Sequence, residues 1–319
     1  MRKVALFYNP NSGGRLARRK AEVNAALELF RKANVDSTLV LCDSPEKAEQ
    51  QARLAGDRGF DTVFACGGDG TIHSIVQGLA GSSVALGILP MGTANALAHD
   101  LRLPLTVVAA ARAALQAVPR RVALGKINFQ DLKGNPSSRF FVVAAGAGVD
   151  AHLFYKLHTG VKQRMGMAAY YTKAWHMWFS YPMTRFAIKF AEIGTNQPHE
   201  ADVTELMVVR IQNFGGVLQE LAPGASLDRD ELRIVFCRTA KRWNYLLYVA
   251  RGLLRLQWKI SGIELVSSLA VSCQYLNDPS RKNAPRSKIY VETDGELVGT
   301  LPAEISVVPN ALTLLAPRK

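Results

Sequence analysis

Asp69 stands inside the run Cys66-Gly67-Gly68-Asp69-Gly70-Thr71, directly after the apolar stretch Thr62-Val63-Phe64-Ala65. Three glycines let a backbone come close to an anion and turn its N–H groups inward, and the start of a following helix adds partial positive charge. Such a turn holds phosphate. A carboxylate within it serves either as a holder of magnesium or water beside a triphosphate, or as a plain helix N-cap. Two further segments repeat the pattern. Val4-Ala5-Leu6-Phe7-Tyr8 reads as a buried strand that runs into Asn9-Pro10-Asn11-Ser12-Gly13-Gly14, and Val84-Ala85-Leu86-Gly87-Ile88-Leu89 runs into Pro90-Met91-Gly92-Thr93-Ala94-Asn95. Ligands of open α/β sheets sit at the carboxyl ends of the strands. The expected nucleotide contacts are therefore Asn9, Ser12, Gly13, Gly67, Gly68, Asp69, Gly70, Thr71, His73, Gly92, Thr93 and Asn95. None of the three loops fits a P-loop or a dinucleotide fingerprint.

A second acidic feature, Asp294-Gly295-Glu296, follows the strand-like Ile289-Tyr290-Val291. Phosphoryl transfer asks a protein mainly for positioning and charge neutralisation, so one carboxylate that orients an acceptor hydroxyl suffices. Residues two apart on a strand share a face, although the intervening glycine can break that rule. Asp-Gly is also the commonest two-residue hairpin signal. Either carboxylate remains open as the proton acceptor.

The elements that must position these residues change character along the chain. The first part alternates strands with helical patterns at 15–33, 45–56, 71–79, 94–101 and 104–117, as a parallel α/β layer requires. Beyond Pro119 strand-like runs dominate, at 121–129, 139–145, 186–190, 205–213, 232–238, 263–274 and 288–292. Turn-rich segments such as Asn135-Pro136-Ser137-Ser138 and Asn196-Gln197-Pro198 separate them, which suggests a β-sandwich. The expected fold is an N-terminal α/β domain over 1–119 with an all-β sandwich over 120–304, and the apolar stretch near 305–319 returning to the first domain. Two helical patterns interrupt the β-rich part. One, over 161–181, carries Met165, Met167, Trp175, Met177, Trp178 and Phe179; these either pack inward or meet acyl chains. The other spaces Arg251, Arg255 and Lys259 four residues apart among leucines, either as a solvated face or as a surface for anionic lipid.

The chain has 319 residues, 48% hydrophobic and 20% charged, which is a globular composition. Its four cysteines lack metal-ligand spacing and read as reduced thiols of a cytoplasmic protein. The short apolar run after Met1-Arg2-Lys3 does not make a signal peptide, and no segment is apolar for the length of a bilayer. The 39 Lys and Arg against 26 Asp and Glu leave a net charge of +13. An anionic membrane surface suits this excess, at about 1 kcal/mol for each nearby cation. Nucleic acid is not expected, because no basic, aromatic-studded platform is present.

Taken in order, N-P-N-S-G-G at 9–14, G-G-D-G-T at 67–71, P-M-G-T-A-N at 90–95, A-G-A-G-V-D-A at 145–151 and D-G-E at 294–296 resemble the diacylglycerol-kinase catalytic family of lipid kinases. The resemblance spans nearly the whole chain. It implies a three-layer α/β domain of the NAD kinase and phosphofructokinase type beside a β-sandwich, with ATP and Mg2+ as cofactors. It also implies an acidic turn that meets the G-G-D-G loop across the interdomain cleft. Asp294 or Glu296 is then the base, Asp69 the metal-linked carboxylate and Asp150 a contact to the lipid head. Ser226, Asp228 and Asp230 stand where bacterial relatives hold a structural magnesium, but Arg229 falls at the position of a ligand aspartate. His73 and Ser74 replace the asparagine and glutamate common in relatives, and Ala96 replaces an aspartate, which makes Asn95-Ala96-Leu97-Ala98 more similar to sphingosine kinases. The implied activity is phosphorylation of a lipid hydroxyl, with diacylglycerol first, then sphingosine or ceramide. NAD phosphorylation and a catalytically weak ATP- or lipid-binding regulator are the alternatives. The expected state is a peripheral membrane protein, with a homodimer left open.

Overall fold

The computed structural model describes residues 1–10, 16–148, 183–195, 197–215, 222–254, 259–276 and 287–318. The helical pattern over 161–181, Asp150, Ser12 and Gly13 lie outside them. Strands β1 (Lys3–Tyr8), β2 (Asp36–Leu41), β3 (Thr62–Gly67) and β4 (Ala85–Pro90) form a parallel layer in the order β2-β1-β3-β4. β2 has no counterpart in the sequence reading: no glycine loop marks it, and its edge position leaves alternate residues exposed.

Period-two alternation sorts the side chains of these strands onto two faces. Val4, Leu6 and Tyr8 meet α1 (Leu16–Lys32) and α5 (Val107–Ala114). Ala5 and Phe7 meet α2 (Pro45–Arg53) and α3 (Asp69–Leu79) on the other side. Each helix answers with a helical stripe. Val23, Ala26, Leu27 and Phe30 of α1, and Val107, Ala110, Ala111 and Ala114 of α5, recur at i, i+3, i+4 and i+7. The result is a three-layer α/β sandwich. Two glycines permit its close contacts. A Cβ at Gly87 would stand 2.3 Å from the ring of Phe64, which stacks on Phe30 at 4.8 Å between centroids. A Cβ at Gly78 would stand 2.3 Å from the carbonyl oxygen of Glu49, so α3 crosses α2 backbone to side-chain-free backbone.

The remaining strands surround a second core and make the β-sandwich. They are β5 (Val118–Gln130), β6 (Pro136–Phe141), β7 (Ala144–Gly148), β8 (Phe186–Glu192), β9 (Pro198–Val203), β10 (Glu205–Val209), β11 (Leu232–Cys237), β12 (Ile263–Tyr275), β13 (Tyr290–Thr293) and β14 (Glu296–Ala316). Phe129, Phe141, Phe186, Leu206, Phe236 and Ile305 are among its buried side chains. The run 139–145, expected as one strand, is two, because the chain bends at Val142 and Val143. Pro136 and Ser138, expected in a turn, lie in β6, an edge strand whose missing proline N–H faces away from β5 pairing. Long β14 pairs antiparallel with β5 from Thr300↔Gln130 to Ala316↔Val118 and parallel with β4 at Thr313↔Ala85. One further helix, α6 (Arg242–Leu254), connects β11 to β12. Among the described residues no helix is long and apolar enough to cross a membrane.

All four cysteines are free and buried. Burial pushes the Cys42 thiol up to about 11 and those of Cys66 and Cys273 higher still. The native protein should therefore show no fast-reacting thiol with a disulfide reagent at about pH 8, whereas the denatured chain releases all four. Gly78→Ala should lower stability by about 1–3 kcal/mol through overpacking against α2, as read by urea unfolding.

Candidate active site in the cleft between the two layers

β3 ends at Gly67, and Gly68 caps α3 with no side chain closing the helix N-terminus. Thr71 and Ile72 donate to the Gly68 carbonyl at 3.0 and 3.1 Å. A Cβ on Gly92 would stand 2.6 Å from the Gly68 Cα, so glycines let the loops after β3 and β4 touch there. Asn95 adopts the left-handed region at φ 50° and closes its loop from within. Its Oδ1 accepts the Gly92 N–H at 2.9 Å and its Nδ2 donates to the Gly92 carbonyl at 2.9 Å.

Asp69 joins the two loops. Its carboxylate accepts the N–H of Asn95 at 3.0 Å and that of Ala96 at 2.9 Å, at the start of α4 (Ala96–Asp100). Burial raises its pKa, and these two N–H groups work against that rise by favouring the ion. The carboxylate is thus engaged across the loops and does not cap α3, whose N-cap is Gly68.

The acidic turn supplies the other wall. Asp294 and Gly295 have φ of 48° and 81°, a two-residue turn of the left-handed kind, and Thr293 pairs with Glu296 across it. Asp294 turns inward, with its side chain 3% exposed. It accepts the N–H groups of Val142, Val143 and Ala144 at 3.2, 2.9 and 3.1 Å and meets His73 Nδ1 at 3.3 Å. These donors are the reason β6 and β7 separate: their N–H groups leave the strand ladder for a carboxylate. Glu296, one residue beyond the turn, lies against α3, and a Cβ on Gly70 would stand 3.0 Å from its Oε1. Gln77 fixes the same helix to β6 by exchanging two 2.8 Å hydrogen bonds with the backbone of Phe140.

Between these walls lies a cleft of about 730 Å³. Asn9, Gly68, Gly70, Thr71, His73 and Glu296 line it. Gly67, Asp69, Gly92, Thr93, Asn95 and Asp294 stand behind or beside that surface. Sequence reading missed Ser44, Arg139 and Gln77. Arg139 brings a cation into the cleft from β6, and no motif marks it because strand side chains become neighbours only through sheet register. Gln77 is one helical turn beyond His73, which is its only sequence cue.

The donors at the cleft fit phosphates: a helix N-terminus without a side-chain cap, glycine backbone where a Cβ would intrude, and the Arg139 side chain. At the turn of Ser226, Asp228 and Asp230, left open above as a structural magnesium site, the described contacts are made within the protein. Asp228 pairs with Arg120 at 2.7 Å, and Ser226 Oγ accepts the Asp228 N–H at 3.2 Å. The carbonyl oxygens of Arg229 and Glu231 are taken by the fully buried guanidinium of Arg210, which also donates to Ala123. A fixed cation already satisfies the hard oxygens of that turn. Among the described residues no group of three or more His, Cys, Asp or Glu side chains is placed to hold a metal.

Residues 3–127 match the diacylglycerol kinase catalytic domain, and residues 143–316 match the YegS C-terminal NAD kinase beta sandwich-like domain. A diacylglycerol kinase of Bacillus subtilis (strain 168) is 25% identical over 330 residues, covering 100% of this chain and 98% of that one. One from Staphylococcus haemolyticus is also 25% identical, over 100% of this chain and 89% of its own. A crystal structure of a diacylglycerol kinase from Bacillus anthracis superposes with a TM-score of 0.66 at 20% identity, covering 98% and 96% of the two chains. With both halves matched in order, the chain belongs to the diacylglycerol-kinase catalytic family of lipid kinases.

Proposed function

We propose that this chain transfers the γ-phosphoryl group of ATP to the hydroxyl of a lipid alcohol, with diacylglycerol the first substrate and sphingosine or ceramide next. The observation that carries the reading is Glu296 held beside Gly70, at the mouth of a cleft whose opposite wall is the N-terminus of α3. The loops of Asn9, Gly68 and Thr71 bind the phosphates through backbone N–H groups and the Thr71 hydroxyl, while Arg139 offsets charge that spreads over the transferred group. Glu296 accepts the proton of the lipid hydroxyl as its oxygen bonds to the γ-phosphorus, and the bond to the β-phosphate oxygen breaks to leave ADP. Magnesium, when bound with the nucleotide, supplies further neutralisation at the phosphates. Asp69 acts here as a clamp between the loops, and Asp294 as the positioning residue that sets Glu296. Parallel pairing of β14 with β4 at Thr313↔Ala85 and Leu314↔Leu86 supports a return of the end of the chain to the first domain. Asp150, assigned by resemblance alone, is the proposed contact to the lipid head.

Labelled γ-phosphate should pass from ATP to one of diacylglycerol, monoacylglycerol, sphingosine or ceramide in mixed micelles with magnesium, and EDTA should stop it. Glu296→Gln should cut kcat by about 100- to 10,000-fold while thermal stability and ATP binding stay near wild type. A rate within a few-fold of wild type would remove Glu296 from the chemistry. Asp294→Ala should behave differently, with a loss of about 2–5 kcal/mol in unfolding free energy from the stranded N–H groups of Val142, Val143 and Ala144.

A further inference from the structure

Helix α6 carries an apolar stripe that nothing among the described residues covers. Trp243, Leu247 and Leu254 are 69%, 37% and 65% exposed, and with Ala250 they recur at i, i+4, i+7 and i+11. That spacing places them on one face of the helix. Three exposed large apolar side chains in one line are not the scatter of an ordinary surface.

A cationic cavity of about 560 Å³ lies where α6 packs on β11 and β12. Arg233, Arg251 and Lys259 line it, together with Tyr248, Ser261 and Gly262. Arg251 is only 8% exposed, and its guanidinium lies over the Tyr248 ring at 4.7 Å with no carboxylate paired to it among the described residues. Arg233 donates to the Pro223 carbonyl and to Ser267. Glu264, also at the cavity, is neutralised by Arg238 at 3.0 Å. A largely buried cation without a carboxylate carries a desolvation cost that an incoming anion relieves. The sequence pattern left Arg251 and Lys259 either on a solvated face or on a surface for anionic lipid; the structure turns Arg251 inward, and Arg255 lies outside the described residues.

We infer that α6 docks this protein on an anionic phospholipid bilayer, with Trp243, Leu247 and Leu254 entering the interface and the Arg233–Arg251–Lys259 cavity receiving a headgroup phosphate. Two features select this occupant. The cavity and the stripe adjoin, since Arg251 follows Leu247 by one helical turn, and a phospholipid alone offers phosphate and hydrocarbon side by side. The net charge of +13 repels a second copy of the chain and favours an anionic surface. The inference deepens the lipid-kinase reading by naming the surface on which the substrate is met, and it rests on that reading only for its biological purpose.

The test is co-sedimentation of the full chain, without nucleotide, with phosphatidylglycerol-containing vesicles and with pure phosphatidylcholine vesicles. Binding is expected to the first and to be nearly absent for the second. Lys259→Gln, an exposed substitution, should weaken it roughly fivefold. Trp243→Ala combined with Leu254→Ala should weaken it about tenfold. Unchanged binding by that double variant overturns the proposal, as does full displacement by millimolar-range glycerol phosphate, which would reduce the cavity to a site for soluble anions. Phosphoryl transfer to a short-chain diacylglycerol in solution should be the same for wild type and the double variant. If no chain transfers phosphate while vesicle binding follows this pattern, the kinase reading fails and the docking surface stands.

Discussion

One buried carboxylate organises the junction of the two layers. Asp294 takes three consecutive backbone N–H groups at the junction between β6 and β7 and reaches His73 on α3. Each of these donors replaces a water that burial removed, so the carboxylate keeps its hydrogen bonds at depth. The bond set therefore fixes three things together: the bend between β6 and β7, the hairpin after β13, and the distance of that hairpin from α3. Glu296 inherits its place from all three. Gln77, exchanging hydrogen bonds with Phe140, prevents α3 from sliding along the same seam.

The three carboxylates of the glycine loop and the hairpin divide their work by depth. Asp69 and Asp294 each turn toward backbone donors and hold loops, whereas Glu296 lies on the cleft surface. The same division applies to the glycines. Gly68 and Gly92 meet each other, which closes the floor, while Gly70 leaves room for Glu296. Basic side chains follow a similar logic. Arg210 is locked on carbonyls inside the sandwich, Arg139 reaches the cleft, and Arg251 faces the cavity at β11 and β12.

Much of this was legible in the sequence where chemistry is local. The strand-to-helix loops at Gly67–Thr71 and Gly92–Asn95 follow from glycine placement, and α1, α3 and α5 from helical stripes of apolar residues. The Asp-Gly hairpin and the acidic turn were offered as alternatives, and they are one object. Reading failed where distant strands decide. The run 139–145 carries continuous strand residues, and only Asp294, far along the chain, splits it. β14 was seen as a short apolar return because its first half alternates with polar residues that face solvent or β12. Arg210 offered no signal at all, since its carbonyl partners are set by tertiary packing.

The pairing of β14 with β4 has a consequence for the order in which the molecule is assembled. The parallel layer is written almost entirely in the early part of the chain, yet the strand that covers the open side of β4 is synthesised long after it. Until then, a nascent chain on the ribosome presents β4 as a bare edge, the kind of template on which strands of other molecules add. Folding of the α/β half is thereby made to wait for the sandwich, and the Asp294–Gly295 hairpin that opens β14 is in place by the time the first layer closes.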